Sequence, residues 1–445
     1  MAHFHSKHLF RRHSGAALLS IVLVALQAPT LAAEKPASDE SEILRKAIAQ
    51  TVEVRTAIEY GFGAEDAGTF QGAGFVIDRN RGWIATARHV AGVSASRVLV
   101  SIAGGPYREA EKRYVDPILD LAILAVDPQY LTGSAEAKLD CREEPTPGQQ
   151  VVTVGHPAGL KYSVTRGIVS RMANIDGETL IQTDAAISSG NSGGPLLSLR
   201  TGRVLGIAVK HMNRNKGAGF ALPVDSLCRI QELLRQGRNP SPPDLPVSFL
   251  VSENVTDSPK VARVWTQTAD LPLREGDSIT GVVDPTGKTH PIHSASGLIN
   301  ALRGHLDNVV LQVSRDGEIL TLKGSAPAAT LADSQDGLLI GGVLFARSEK
   351  YLLRGFATES LRVHQVTPAS DGEMKGIQVT DFLVAVNGRP LMTLDELEKL
   401  ASQEQSLTLT LRRVTWESAR VVYLEKTLST AHLRRVGGKA SNTNQ

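Results

Sequence analysis

The segment SSGNSGGPLL, residues 188–197, places Ser192 between glycines and directly before an apolar strand. A serine hydroxyl is a weak nucleophile at neutral pH, so it needs a base within hydrogen-bond distance and a third group that orients the base. His89, in the strand pattern GWIATARHV, is the candidate base, and Asp120, which opens the apolar run DLAILAV, is the candidate orienting acid. Together these residue types predict a serine-nucleophile site.

Each candidate also has a structural interpretation. Most Ser/Gly clusters are loops, and a lone histidine is more often structural or solvated than catalytic. Asp116 lies near Asp120 and competes with it as the acid, while His156 in a turn and His211 in a basic loop are expected to be structural or solvated. The chain order His, Asp, Ser matches chymotrypsin-type enzymes rather than subtilisins or α/β-hydrolases, which favours catalysis.

The glycines beside the candidate nucleophile have a mechanical role in this hypothesis. Gly190 and Gly193 permit a tight turn that aims main-chain N–H groups at one point. Such groups form an oxyanion hole, and the loss of one donor typically costs about 3 kcal/mol of transition-state stabilisation.

The first 33 residues have the layout of a secretory signal peptide. Lys7, Arg11 and Arg12 precede an apolar run over residues 14–28, and the small-residue stretch TLAA follows. This predicts a cleaved signal peptide over residues 1–33 and a periplasmic or secreted protein with no stable membrane span afterwards. An uncleaved membrane anchor is the alternative, although the run is short for a span.

Composition narrows the function classes further. The 445-residue chain is 42% apolar and 21% charged, as in soluble globular proteins of several domains. Cleavage after residue 33 would leave 45 basic and 46 acidic side chains, which gives no electrostatic argument for a nucleic-acid partner.

Cys141 and Cys228 could form one disulfide or remain two buried thiols. No ligand set predicts a metal site, and no cofactor is expected.

The chain divides into successive segments that must position the candidate residues. Short apolar runs separated by turns predict an all-β barrel or sandwich over residues 34–236, which begins and ends with a helical pattern. The proline-rich residues 237–246 are typical of a linker. Two similar units, 247–328 and 335–428, follow, and residues 429–445 are expected to be a disordered tail.

The two C-terminal units share one strand–turn–helix–strand pattern. GDSITGVVD in the first unit aligns with TDFLVAVNG in the second at an offset of 104 positions. The aligned pairs are Asp277 with Asp381, Ile279 with Leu383, and Val282 with Val386. This internal repeat predicts two copies of the same small fold.

Seven motifs occur in a fixed order between residues 72 and 223. They are GAGFVID, GWIATARHV, DPILDLAILAV, VTVGHPAGL, GIVS, IQTDAAISSGNSGGPLL and GAGFALP. In these motifs the chain resembles trypsin-like serine proteases of the HtrA/Deg class. The resemblance implies a mainly β protein, with a chymotrypsin-like double six-stranded β-barrel followed by two PDZ-like α+β domains.

The resemblance also implies roles for individual residues. Ser192 would be the nucleophile, His89 the general base and Asp120 the orienting acid, with Asp116 as the first residue of the family's DP pair. The oxyanion hole would consist of the main-chain N–H groups of Gly190 and Ser192. The family often has Asn at the position of Arg88, and Asn-Pro-Phe at residues 156–158. A small aliphatic residue is implied before the scissile bond.

The C-terminal units differ in how well they match PDZ domains. In the second unit LLIGGVLFA could supply a loop in which Gly341 and Gly342 bind a peptide carboxylate. The equivalent PVSFLVSEN of the first unit has no glycine, so a structural or regulatory spacer is at least as good an interpretation there. A basic loop follows the nucleophile segment and contains Lys210, His211, Arg214 and Lys216. We expect this loop either to be solvated or to give the site a preference for an acidic group in the substrate or effector.

These observations predict an exported serine endopeptidase that degrades unfolded or damaged proteins through an acyl-enzyme, with PDZ-like domains that bind substrate or regulatory peptides. Two alternatives are a peptide-binding or chaperone-like protein with a latent protease site, and a narrowly specific processing protease. The resemblance implies a homotrimer or a larger homo-oligomer.

Overall fold

The computed structural model describes residues 40–437 except 63–64, 143, 176, 210–217, 251, 253–255, 266–270, 330, 332–335, 348–360, 380, 391–392 and 416–419. The predicted signal peptide, the four basic residues between 210 and 216, and residues 438–445 of the predicted tail lie outside the described residues. No helix in the described ranges is long and apolar enough to cross a membrane.

Six short strands form a first closed barrel. They are β1 (Thr51–Ile58), β2 (Gly68–Asp78), β3 (Trp83–Thr86), β4 (Ser96–Ile102), β5 (Arg108–Val115) and β6 (Ala122–Ala125). Their order is β1-β2-β3-β6-β5-β4, and antiparallel pairing of β1 with β4 closes the sheet. The apolar runs of the sequence become the barrel core, in which Ile84 and Ile123 are fully buried.

Six further strands form a second closed barrel. They are β7 (Gln150–Gly155), β8 (Ser163–Ile175), β9 (Glu178–Thr183), β10 (Pro195–Ser198), β11 (Val204–Val209) and β12 (Gly219–Pro223). Their order is β10-β11-β12-β9-β8-β7, and β10 pairs with β7. The predicted double six-stranded β-barrel is therefore confirmed.

The helices are short and lie outside the barrels' sheets. They are α1 (Glu40–Gln50), α2 (Arg88–Ala91), α3 (Asp225–Arg235), α4 (Ala295–Leu302), α5 (Asp371–Met374) and α6 (Leu394–Gln403). Helices α1 and α3 flank the barrel region, as the sequence predicts. In α1, Ile43 and Ala47 are buried, whereas Ile48 is more than one third exposed.

A disulfide joins Cys141 to Cys228 across 87 positions of the chain. It connects the segment that follows the first barrel to α3, and the Cα atoms are 6.0 Å apart. Of the two possibilities left open by the sequence, the structure has the disulfide. A disulfide of this kind is typical of an oxidising compartment.

The first C-terminal unit contains a two-stranded and a four-stranded sheet. The strands are β13 (Val247–Phe249), β14 (Val261–Val264), β15 (Ser278–Val283), β16 (Thr289–Pro291), β17 (Val309–Arg315) and β18 (Glu318–Gly324). The larger sheet has the order β16-β15-β17-β18. Leu298 and Leu302 of α4 pack with Ile279 and Val309 in the core of this unit.

The second C-terminal unit is built on one larger antiparallel sheet. Its strands are β19 (Asp336–Ile340), β20 (Val343–Arg347), β21 (Leu361–Val366), β22 (Phe382–Val386), β23 (Arg389–Pro390), β24 (Ser406–Thr415), β25 (Arg420–Ser429) and β26 (Arg434–Gly437). The order is β25-β24-β22-β21-β20-β19-β26, and β23 pairs with β22. Helix α6 contributes Leu397 to the core.

The internal repeat appears as the same buried ion pair in both units. Asp277 and Asp381 are fully buried, and each lies 2.7 Å from the Nε of an arginine, Arg315 and Arg413 respectively. Burial, the largest single influence, would raise the pKa of Asp277. The hydrogen bonds from Arg315 and from the Arg274 N–H, together with the charges of both arginines, outweigh burial and lower that pKa below its ordinary value. The aligned aspartates thus have equivalent structural roles.

The predicted linker has tertiary contacts, and the predicted tail needs correction. Residues 237–246 have no helix or strand, but they are packed rather than free: Leu245 belongs to the core of the first unit, and Asp244 N–H donates to the Pro327 carbonyl. The tail is not disordered throughout, because β26 pairs with β19 and Val436 is buried. Both segments are held by contacts with distant residues, which local composition does not encode.

Candidate active site

His89 and Asp120 form the best-defined contact of the site. His89 lies in α2, directly after β3, and its main-chain N–H donates to Asp120 Oδ1 at 2.9 Å. Its Nδ1 lies 2.6 Å from Asp120 Oδ2. A carboxylate only accepts hydrogen bonds, so Nδ1 carries the proton and Nε2 is left as a base. One carboxylate therefore fixes both the backbone and the ring of His89.

The environment of Asp120 favours its ionised form. Burial by itself would raise its pKa, but the two hydrogen bonds from His89 and the positive charge of Arg88 outweigh burial. The net result is a pKa below the ordinary value for an aspartate, so the carboxylate is charged at neutral pH.

Ser192 lies in a turn that depends on two glycines. Gly190 and Gly193 have φ angles of 102° and 83°, in the left-handed region that side chains rarely adopt. A Cβ atom on Gly190 would overlap the His156 carbonyl, and one on Gly193 would overlap the Ala73 carbonyl. The expected tight glycine turn is present.

The turn packs against the first barrel near His89. The Ala73 N–H of β2 donates to the Ser192 carbonyl at 2.8 Å. A Cβ on Gly193 would also contact Thr86 and the nitrogen of Ala87, two residues before His89. Ser192, only 3% exposed, thus lies between the barrels beside the start of α2.

The described residues contain the His89–Asp120 hydrogen bond but none between the Ser192 hydroxyl and His89. The structure therefore brings all three candidates to one place and joins two of them directly. Such contacts are often long without substrate and shorten in the Michaelis complex.

Two main-chain N–H groups of the turn, those of Gly190 and Ser192, are the candidate donors to an anion. The N–H of Asn191 donates to the Ser188 carbonyl, and that of Gly193 donates to the Ala208 carbonyl. Over the part of the chain that the structure describes, the N–H groups of Gly190 and Ser192 have no such acceptor. They are the two donors that the sequence predicts for an oxyanion hole.

Among the described residues, Asp116 has no hydrogen bond or ion pair with His89. Its Oδ1 accepts the N–H groups of Ile118 and Leu119 at 2.9 and 2.8 Å, and its own carbonyl accepts from Arg88. Asp116 therefore shapes the turn that precedes Asp120. Between the two competing aspartates, only Asp120 is placed to orient the imidazole.

His156, Gly341 and Gly342 have structural contacts. His156 is fully buried, its Nδ1 accepts the Tyr162 N–H, and burial lowers its pKa. Gly341 and Gly342 form the hairpin turn between β19 and β20, where the Gly341 N–H donates to the Ala431 carbonyl. That N–H already has an acceptor within the protein, so the carboxylate-binding role stays a prediction.

One acidic residue of this region has no signal in the sequence. Glu178 begins β9 and is partly buried, and its carboxyl lies near Asp120 and Asp116. Burial, followed by the negative charge of Asp120, raises the pKa of Glu178 to about 7, although Arg88 acts in the opposite direction. Because the aspartates are distant in sequence, only the folded chain reveals this cluster.

Glu178 is expected to make stability fall as pH rises. The folded chain binds the Glu178 proton more tightly than the unfolded chain, so this contribution is fully present below the ordinary glutamate pKa and is lost as pH rises through about 7. The free energy of unfolding of Glu178→Gln minus that of the parent should therefore rise by about 2 kcal/mol as the pH is raised from about 5 to about 8. Urea unfolding of both proteins at several pH values measures this. The exposed Glu111→Gln serves as the control, and parallel pH curves for Glu178→Gln and the parent would contradict the prediction.

Comparison with known proteins agrees with this geometry. Residues 72–207 match the model of the trypsin-like peptidase domain. The chain is 40% identical over 177 residues to the putative serine protease HhoA of Synechocystis. That match covers 38% of this chain and 43% of HhoA, so it spans less than half of either protein. It is 30% identical over 362 residues to a probable periplasmic serine endoprotease, DegP-like, of Halomonas elongata, covering 75% of this chain and 73% of the relative.

A solved structure supports the same fold. The HtrA-type protease AlgW with a tripeptide superposes with a TM-score of 0.51 at 22% identity. The match covers 66% of this chain and 99% of that structure. At this level of identity the likeness concerns the fold.

Proposed function

Because the chain belongs to the DegP-like family of trypsin-like serine endoproteases, we propose that Ser192, His89 and Asp120 are its catalytic triad. The observation that carries this proposal is the Asp120 carboxylate, which accepts both the main-chain N–H and the Nδ1 proton of His89. The imidazole Nε2 is then free to take the proton of Ser192 as its hydroxyl attacks a peptide carbonyl.

The remaining steps follow from the same atoms. The tetrahedral intermediate places its oxyanion at the N–H groups of Gly190 and Ser192. Protonated His89 donates to the leaving amine, and water then hydrolyses the acyl-enzyme by the same route in reverse. No step requires a metal or a cofactor.

The proposed substrates are unfolded or damaged polypeptides outside the cytoplasm. The relatives from Halomonas elongata and Salmonella typhimurium are described as periplasmic serine endoproteases, and the Cys141–Cys228 disulfide suits that compartment. Residues 1–33 are proposed to be the export signal. The C-terminal units are proposed to be PDZ-like domains that bind substrate or regulatory peptides, and the protein to assemble as a homotrimer or a larger homo-oligomer.

Two measurements on the mature full-length chain test this proposal. A fluorophosphonate probe, which reacts with activated serines, is expected to label Ser192, with the site identified by mass spectrometry. Reduced, unfolded casein is expected to be cleaved faster than a folded globular protein. Labelling at another residue would exclude Ser192 as the nucleophile.

A latent protease is the second candidate function. The absence of a Ser192–His89 hydrogen bond among the described residues favours it. Fluorophosphonate labelling that requires added peptide would support latency, whereas labelling without peptide supports the constitutive enzyme.

A further inference from the structure

One arginine of the first C-terminal unit is buried against the barrel domain. Arg303 follows α4 and is the largest fully buried side chain of the described chain. Its Nη2 lies 2.6 Å from Asp116 Oδ2, and both side chains have zero exposure. Its Nη1 donates to the Pro240 carbonyl at 2.7 Å and to the Tyr114 hydroxyl at 3.1 Å. The unit thus places a positive charge inside the barrel domain.

The partner of this charge closes the loop that carries Asp120. We call residues 116–121 the acid loop. Asp116 N–H donates to the Leu121 carbonyl at 2.9 Å, and Asp116 Oδ1 accepts two N–H groups from within the loop. Its other oxygen, Oδ2, accepts the Tyr114 hydroxyl at 2.9 Å and faces Arg303. One carboxylate oxygen therefore organises the acid loop while the other binds the C-terminal unit.

The end of α4 is held by further contacts, one from α3 and one from the segment that follows α3. The Arg303 carbonyl accepts the Arg229 guanidinium of α3 at 2.8 Å. The next carbonyl, that of Gly304, accepts from Arg238. Arg303 is therefore anchored through its main chain as well as its side chain, so its guanidinium has a defined position relative to Asp116.

Loss of the arginine would leave Asp116 as a buried charge without a counter-ion. Such a carboxylate becomes protonated or admits water. In either case it accepts the two loop N–H groups less strongly, and the turn before Asp120 loosens. Misplacement of a catalytic group by about 1 Å can cost about 100-fold in rate.

We propose that Arg303 is a positioning residue for catalysis, which acts through its buried ion pair with Asp116 to orient the acid loop and hence Asp120. The inference rests on the proposed catalytic role of Asp120. It gives the first C-terminal unit a function in the reaction that needs no bound peptide. That agrees with the absence of glycine from its segment PVSFLVSEN.

The test compares two arginines of the same unit in the full-length mature protein. Arg303→Met should lower kcat for a peptide substrate about 10- to 100-fold and leave KM within about twofold, since Arg303 does not touch substrate. Arg303→Lys should recover part of the loss, because lysine restores the positive charge but not the planar guanidinium with its several N–H donors. Arg315→Met removes the comparable pair with Asp277, whose described contacts stay within the unit, and should leave kcat within about twofold.

Fluorophosphonate labelling of Ser192 separates the possible outcomes. The labelling rate should fall in Arg303→Met by the same factor as kcat. Asp116→Asn alone should lower both rates to the same extent, and the double variant should be no slower than either single variant. An unchanged labelling rate in Arg303→Met, or an equal loss in Arg315→Met, would overturn the inference. If Arg303→Met does not fold, full activity of Asp116→Asn overturns it. A parent protein in which the probe does not label Ser192 would instead refute the proposed function.

Discussion

Ser192→Ala is expected to lower kcat for peptide hydrolysis by about 10⁶-fold, the loss typical when a triad nucleophile is removed. Alanine has no hydroxyl for His89 to activate, so no acyl-enzyme can form. The residual rate, about 10³- to 10⁴-fold above that in water, would come from substrate binding and the N–H donors of Gly190 and Ser192, which the substitution retains. The measurement is the release of a fluorophore from an internally quenched peptide.

The same turn supplies a matched control. Ser189 is exposed, three positions before Ser192, and its hydroxyl has no hydrogen-bond partner among the described residues. Ser189→Ala is expected to retain activity within about twofold, since surface substitutions of this kind are nearly neutral. Equal loss in both variants would indicate damage to the turn, and equal activity in Ser192→Ala and the parent would remove Ser192 from the mechanism.

The barrel fold could be predicted because its determinants are local. Short apolar runs such as those of β3 and β11 are bounded by turn residues, so strand number and position follow from the sequence. The glycines at 190 and 193 could be interpreted for the same reason: positive φ at a turn is a local requirement. The repeat is visible because Asp277 and Asp381 occupy equivalent positions in two similar segments.

Contacts between distant segments could not be predicted in this way. Residues 434–437 have the composition of a polar tail, yet they form a strand because β19 offers an unpaired edge. The hydrogen bond from the Gly341 N–H to the Ala431 carbonyl is a second such contact, and the carboxylate-binding role of Gly341 and Gly342 stays a prediction. In both cases the partner is remote in sequence, and composition says nothing of it.

The same limit applies to the acid loop. The order of His89, Asp120 and Ser192 could be read from motifs, whereas Glu178 and Arg303 carry no motif and come from β9 and from the end of α4. Glu178 approaches both aspartates, and Arg303 approaches Asp116, only after the second barrel and the C-terminal unit pack against the first barrel. The charged groups in and around the acid loop thus come from the first barrel, the second barrel and the first C-terminal unit.

Asp120→Asn is expected to lower kcat about 10⁴-fold while leaving the fold intact. The main-chain N–H of His89 requires an acceptor, so the amide oxygen of the substituted side chain would face it, and the amide NH₂ would face Nδ1. Nδ1 must then accept, which moves the imidazole proton to Nε2. A protonated Nε2 cannot take the proton of Ser192, so catalysis fails through the wrong tautomer.

Two readouts distinguish this mechanism from simple unfolding. Nitrogen-15 NMR of the His89 ring should report protonated Nδ1 in the parent and protonated Nε2 in the variant at the same pH, with the thermal unfolding midpoint changed little. Asp127→Asn is the control, because Asp127 accepts the Gln129 N–H at the start of a 3₁₀ turn and asparagine caps such a turn equally well. Its kcat should stay within about twofold of the parent. If Asp120→Asn kept Nδ1 protonated and still lost activity, the carboxylate would act by its charge on the imidazolium rather than by selecting the tautomer.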